Sequence, residues 1–100
     1  MINPVAKGRR LELNYKKKKE AEGYICYKPI KSNRFVKQQD IFGLFDMICI
    51  NKKEVLLVQV KANRKIGVNE IRNFTEHPSS VRKILAVKKD WKEWEEFEIN

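Results

Sequence analysis

At 100 residues the chain has room for one core and none for a second folding unit, so a large ligand must bind on its surface or between subunits. Hydrophobic residues make up 42% and charged residues 35%, which excludes a disordered chain, and no apolar run approaches the roughly 20 residues of a membrane span. The net charge of +9 is uneven: residues 1–37 carry eleven Lys/Arg against three acids, residues 38–100 eleven against ten. The first third is thus the basic face, best suited to phosphate backbones, with a merely solvating surface as the plainer account.

The N-terminus MINPVAKGRR has no apolar stretch of signal-peptide type, and a cytoplasmic location is expected, for a cellular or virus-encoded protein. Residues 8–22 are mostly good helix formers, with Leu11, Tyr15 and Lys18/Lys19 at helical spacing and Gly23 as a stop. The apolar stripe is narrow, so this helix packs by one edge, and the Lys16 to Lys19 run reads as a solvated face. Tyr24-Ile25-Cys26-Tyr27 reads as a strand ending near Pro29, followed by the polar, basic loop Lys31-Ser32-Asn33-Arg34.

Residues 45–50 and 55–60 are apolar on both faces and predict two central strands. Val68, Ile71 and Phe74 predict a short second helix, broken by His77-Pro78-Ser79-Ser80. Residues 84–87 give a fourth strand, and the acidic-aromatic stretch 91–99 a last edge strand. The order αβββαββ describes an α/β chain with a mixed central sheet flanked by helices. Cys26 and Cys49 sit in apolar runs as buried thiols, and the lone His77 falls in a turn-like segment without a second metal ligand.

The chemistry concentrates on the central hairpin. With Lys52-Lys53 as turn residues the pairing places Asp46 opposite Gln59, and alternation puts Lys61 on the same face. A carboxylate and an amide carbonyl suit a hard cation such as Mg²⁺, and an adjacent ammonium would offset charge developing on a phosphate during hydrolysis. The competing account is an Asp46–Lys61 ion pair at a strand end, with Gln59 capping a backbone group.

Asp46 followed by Gln59-Val60-Lys61 resembles the PD-(D/E)XK nuclease motif, with Phe45 in place of Pro and Gln in place of the first acid of (D/E)XK. The rest of the chain falls in register with the archaeal-type Holliday junction resolvases of that superfamily. Lys7-Gly8 followed by Glu12 is similar to the family's N-terminal Lys-Gly and helix-borne metal-site Glu. Gly23-Tyr24 matches its Gly-aromatic pair, Lys28 stands where it usually has Arg, and Ser32 matches a Ser whose loop assists cleavage. Residues 84–88 and Trp91 or Trp94 look like its late strand and aromatic end.

That resemblance implies a single nuclease domain over residues 1–100 with a restriction-endonuclease-like fold. Its catalytic set would be Glu12, Ser32, Asp46, Gln59 and Lys61. Glu12, Asp46, Gln59 and the Val60 backbone carbonyl would hold Mg²⁺, with Mn²⁺ able to substitute; the segment also offers Asp40, a turn cap or outer ligand, but only Asp46 falls opposite Gln59. Lys7, Arg9, Arg10, Lys28, Arg34, Arg64 and Lys65 would contact DNA. The implied function is a homodimer cutting four-way junctions by paired symmetric nicks, with Trp91, Trp94 and Phe97 offered to the interface or to the core. A same-fold nuclease acting on duplex or flap DNA, and a basic DNA-binding module with a degenerate site, are the alternatives.

Overall fold

The computed structural model describes residues 4–29, 41–75, 77 and 80–100, with side chains from residue 8 onward. Among these residues seven elements follow in the expected order: α1 (Pro4–Ala21), β1 (Ile25–Tyr27), β2 (Met47–Ile50), β3 (Val55–Ala62), α2 (Val68–Asn73), β4 (Val81–Lys88) and β5 (Trp94–Glu98). The strands form one mixed sheet in the order β1-β2-β3-β4-β5, antiparallel except for the parallel β3–β4 pair. Parallel neighbours need a crossover, and α2 lies in the segment that provides it. The α/β class, the mixed sheet and the flanking helices are those expected from the sequence.

Apolar side chains cover both faces of the inner strands. Met47, Cys49, Leu56, Val58, Val60, Ile84 and Ala86 pack with Tyr15 of α1 on one face. Leu57, Leu85 and Val87 join Phe45, Ile71 of α2 and Ile99 on the other. Strict alternation along β3 and β4 therefore feeds two core layers from one sheet. Lys83 is buried on the α2 face, and its Nζ donates to the Ile71 carbonyl at 2.9 Å and the Phe74 carbonyl at 2.7 Å. Those carbonyls sit at the end of α2, where the Phe74 N–H closes back only on the Ile71 carbonyl, so Lys83 ties the short helix to the sheet.

One expectation about charge is corrected. Lys19 does not lie on a solvated face: it is 5% exposed, bonded to Glu96 at 2.9 Å and Glu22 at 3.1 Å, and lies over the rings of Tyr15 and Tyr24. The helix has too few apolar residues to cover the sheet, and the Lys19 stem completes its packing edge while Glu96 answers the charge. Trp94 and Phe97 pack inside the two layers, Trp94 edge-on to Tyr15 at 5.0 Å, whereas Trp91 is fully exposed.

Candidate active site

The β2–β3 hairpin has the expected register, from Ile50↔Val55 to Met47↔Val58, with Asn51 and Glu54 bracketing Lys52 and Lys53. The ladder stops one pair short of Asp46. Instead of facing Gln59 in a regular pair, Asp46 donates its backbone N–H to the Val58 carbonyl at 2.7 Å, and its Oδ2 accepts the Val60 N–H at 2.7 Å. Asp46 and Met47 thus both address Val58, which is the two-against-one arrangement of a β-bulge. The two layers record the same event. Phe45 packs with Leu57 and Ile71 while Met47 packs with Tyr15, so the alternation is interrupted at Asp46.

The cause lies just upstream. Ile41 and Phe45 exchange backbone hydrogen bonds of 2.8 and 2.9 Å around a tight turn in which Phe42 (φ 55°) and Gly43 (φ 69°) take left-handed conformations. Glycine enters that region without a Cβ penalty, and the turn delivers the chain to β2 with Asp46 at a bend. Asp46 is 8% exposed, a carboxylate buried at the open end of the sheet and anchored to the main chain between Gln59 and Lys61. In an extended strand the N–H and C=O of one residue point to the same side, so the Val60 carbonyl also opens toward Asp46.

Gln59 and Lys61 flank that point on the α2 face. The Gln59 Oε1 is buried and has no hydrogen-bond partner among the described residues. It lies 3.0 Å from where a Cβ on Gly67 would stand, and the Glu70 carboxylate lies 3.9 Å from the same position. Gly67, at φ 82°, begins α2. Any side chain there would press on the Gln59 amide, so Gly67 is a site residue that the motif did not indicate; its signal was a glycine six residues after the lysine, just before the helical pattern. Lys61 is half-buried and is not within ion-pair distance of Asp46 or any other described carboxylate. The ion-pair account of Asp46 and Lys61 does not describe this structure.

Glu12 reaches the same end of the sheet from α1. Its Oε1 is 3.3 Å from Lys28 Nζ, with both side chains largely buried, at 12% and 14% exposed. Lys28 directly follows β1, whose last residue Tyr27 pairs with Ile48, two positions from Asp46. Lys28 is therefore largely buried against Glu12 and not on the outer surface expected of a simple phosphate contact. Arg9 and Arg10 are exposed near the start of α1, and Arg64 and Lys65 are exposed in the loop after β3, Lys65 lying over the Phe97 ring at 4.2 Å. Ser32, Arg34 and Asp40, and the side chain of Lys7, lie outside the described residues.

The donors on this strand end are all oxygens: the Asp46 carboxylate, the Val60 carbonyl and the Gln59 amide, with Glu12 held against Lys28 on the α1 side of the sheet. Among the described residues no three His, Cys, Asp or Glu side chains group as a metal site. The set fits a hard cation that keeps several waters, and the unpartnered buried Gln59 oxygen is the observation that calls for such a partner.

By sequence, neither a family model nor a curated protein matches the chain. Among solved structures it is similar to that of Archaeoglobus fulgidus Hjc, a Holliday junction resolvase from an archaeal hyperthermophile, with a TM-score of 0.67 and 17% identity over 93% of this chain and 73% of that one. The chain has the α/β fold of that resolvase.

Proposed function

We propose that the chain is a metal-dependent DNA endonuclease that acts on four-way junctions as a homodimer, each subunit forming a single nuclease domain. The observation that carries this reading is the meeting of Asp46, the Val60 main chain, Gln59 and Lys61 at one open sheet end, on the fold of a junction resolvase. Asp46, Gln59, Glu12 and the Val60 carbonyl hold Mg²⁺ or Mn²⁺, which supplies Lewis acidity toward water and the scissile phosphate. Lys61, with no carboxylate to answer it among the described residues, offsets negative charge as the phosphate gains a fifth oxygen. Lys28 pairs with Glu12 and restrains its carboxylate. Arg9 and Arg10 on one side, and Arg64 and Lys65 on the other, engage the phosphates flanking the cut, with Lys7, Arg34 and the Ser32 loop completing the DNA-facing set.

One active centre per subunit cuts one strand, so paired nicks need two centres related by a two-fold axis. Two basic faces in a dimer also reach separate junction arms at once, which raises affinity for a junction over linear DNA. The test is competition between a labelled four-way junction and a duplex of equal length in Mg²⁺ or Mn²⁺, with a solution mass. Preferred binding of the junction, paired nicks near the crossover and a dimer are expected. A monomer that cuts duplex as readily would refute the junction assignment and leave the nuclease standing, while binding without metal-dependent cutting would refute the nuclease.

A further inference from the structure

Away from the nuclease centre, the two cysteines meet. Cys26 in β1 and Cys49 in β2 are direct partners across the antiparallel pair, and their Sγ atoms stand 3.1 Å apart. Both are free thiols, Cys49 buried and Cys26 partly exposed on the edge strand. Opposed residues in antiparallel strands have Cα atoms about 4.5–5.5 Å apart, inside the range that a disulfide spans, and the sulfurs need approach by only about 1 Å to reach bonding distance. Two sulfurs alone make an incomplete metal site, and among the described residues no third ligand of suitable type joins them.

We infer that Cys26 and Cys49 form a dithiol poised to close into a cross-strand disulfide by exchange with a low-molecular-weight disulfide. Cys26 is the attacking sulfur because it is the one solvent reaches. It loses its proton, attacks one sulfur of the small disulfide and expels the first small thiolate, which takes up a proton. Cys49 then loses its proton, attacks the Cys26 sulfur of the mixed disulfide and expels the second. Two protein thiols are oxidised by two electrons, and the small disulfide is reduced to two thiols. Burial pushes both thiols up from their ordinary range; the Cys49 contact works downward on Cys26, whereas the Cys26 contact adds to the rise at Cys49. The first step is accordingly slow at neutral pH and faster as pH rises.

The consequence is local and specific. β1 is three residues long, lies at the sheet edge and carries Lys28 immediately after it. A bond from Cys26 to Cys49 fastens that strand to β2. The two cysteines are 23 positions apart in the chain, so their meeting depends on the fold, and closure must favour the folded protein.

The experiment incubates the folded protein with oxidised glutathione over a series of glutathione ratios, quenches with acid, and alkylates under denaturing conditions for mass analysis. Expected is a monomeric product lighter by two hydrogens with no alkyl groups, at an equilibrium constant roughly tenfold or more above that of the urea-unfolded chain. Its thermal midpoint should rise by several degrees over the reduced protein. Cys49→Ser should stop at a single glutathione adduct on Cys26, and Cys26→Ser should form no intramolecular bond. Two alkylatable thiols persisting in the wild type under excess oxidant, a stable Cys26 adduct that never closes, or equal constants for folded and unfolded chain would each overturn the inference. None of these readings depends on DNA cleavage, so the nuclease reading stands or falls separately.

Discussion

Two polar clusters lie against the same sheet and are built on opposite rules. Where α1 crosses to β5, every charge is answered: Tyr15 Oη donates to Glu96 at 2.8 Å, Lys19 bonds Glu96 and Glu22, and Lys18 adds to both acids. At the far end of β3 the account is left open. Among the described residues Gln59 Oε1 has no partner and Lys61 has no carboxylate, while Asp46 between them accepts the Val60 N–H. A closed network fastens elements together, whereas an open one holds capacity for something that the chain alone does not supply.

The largest effect separating the two should come from Asp46→Asn. The amide oxygen can still accept the Val60 N–H, so folding should survive with a thermal midpoint within a few degrees of wild type. Cleavage should fall by roughly 10²–10³-fold or more, because the charge that holds the cation is gone. Near-wild-type cutting by the folded variant would show that Asp46 is structural, like its counterparts in the α1–β5 cluster.

Next in size is Glu96→Gln, which strikes the closed network. Lys19 would keep Glu22 but lose its nearer acid while buried, a cost of about 1–2 kcal/mol once the partial exposure of Glu96 is discounted. Denaturant unfolding should register this, with cleavage at low temperature unchanged. Unaltered stability would mean that the network is ornamental to the fold.

A subtler change sharpens the open cluster. Gln59→Glu adds a negative charge where the buried oxygen is orphaned, so half-maximal activity should need roughly three- to tenfold less Mg²⁺. An unchanged metal titration with activity retained would place Gln59 outside the direct ligands.

The smallest effect is a pH response. Burial pushes the Glu96 carboxyl up, but hydrogen bonds from Lys19 and Tyr15 outweigh it and hold it below its ordinary value of 4.5; Lys18 acts first on Glu22 in the same direction, as Arg82 does on Glu98. A depressed folded value means that the stabilisation is fully present above pH 4.5 and is lost as pH falls through the carboxylate range. The thermal midpoint of the wild type should therefore decline below pH 4.5, and that of Glu96→Gln should decline less. Parallel curves would remove Glu96 from the acid response.

The element order and the hairpin register were legible because they rest on local pattern: β-branched runs, a two-residue turn and helical spacing at Val68 and Ile71. The break at Asp46 was not, since it arises from left-handed residues at Phe42 and Gly43, which alternation arithmetic along an ideal strand ignores. Lys19 was misjudged for a related reason. A lysine in a basic run looks solvated until a distant acid, Glu96, is brought beneath it by the fold. The same holds for Lys28, whose partner Glu12 lies on another element, and for Gly67, whose meaning depends on how closely α2 approaches Gln59.

The central claim is that the open cluster performs hydrolysis, and Lys61 tests it most directly. A labelled four-way junction should be incubated with wild type and with Lys61→Ala under single-turnover conditions in Mg²⁺, with binding measured in parallel. One ammonium among many phosphate contacts contributes little to affinity, but it is the positive charge next along the strand from the Val60 N–H that Asp46 accepts, with no carboxylate among the described residues to answer it. The account predicts metal-dependent nicking by the wild type, and junction binding with nicking lost in the folded variant. Undiminished cutting by Lys61→Ala, or a wild type that binds the junction and never cuts it, would contradict the account.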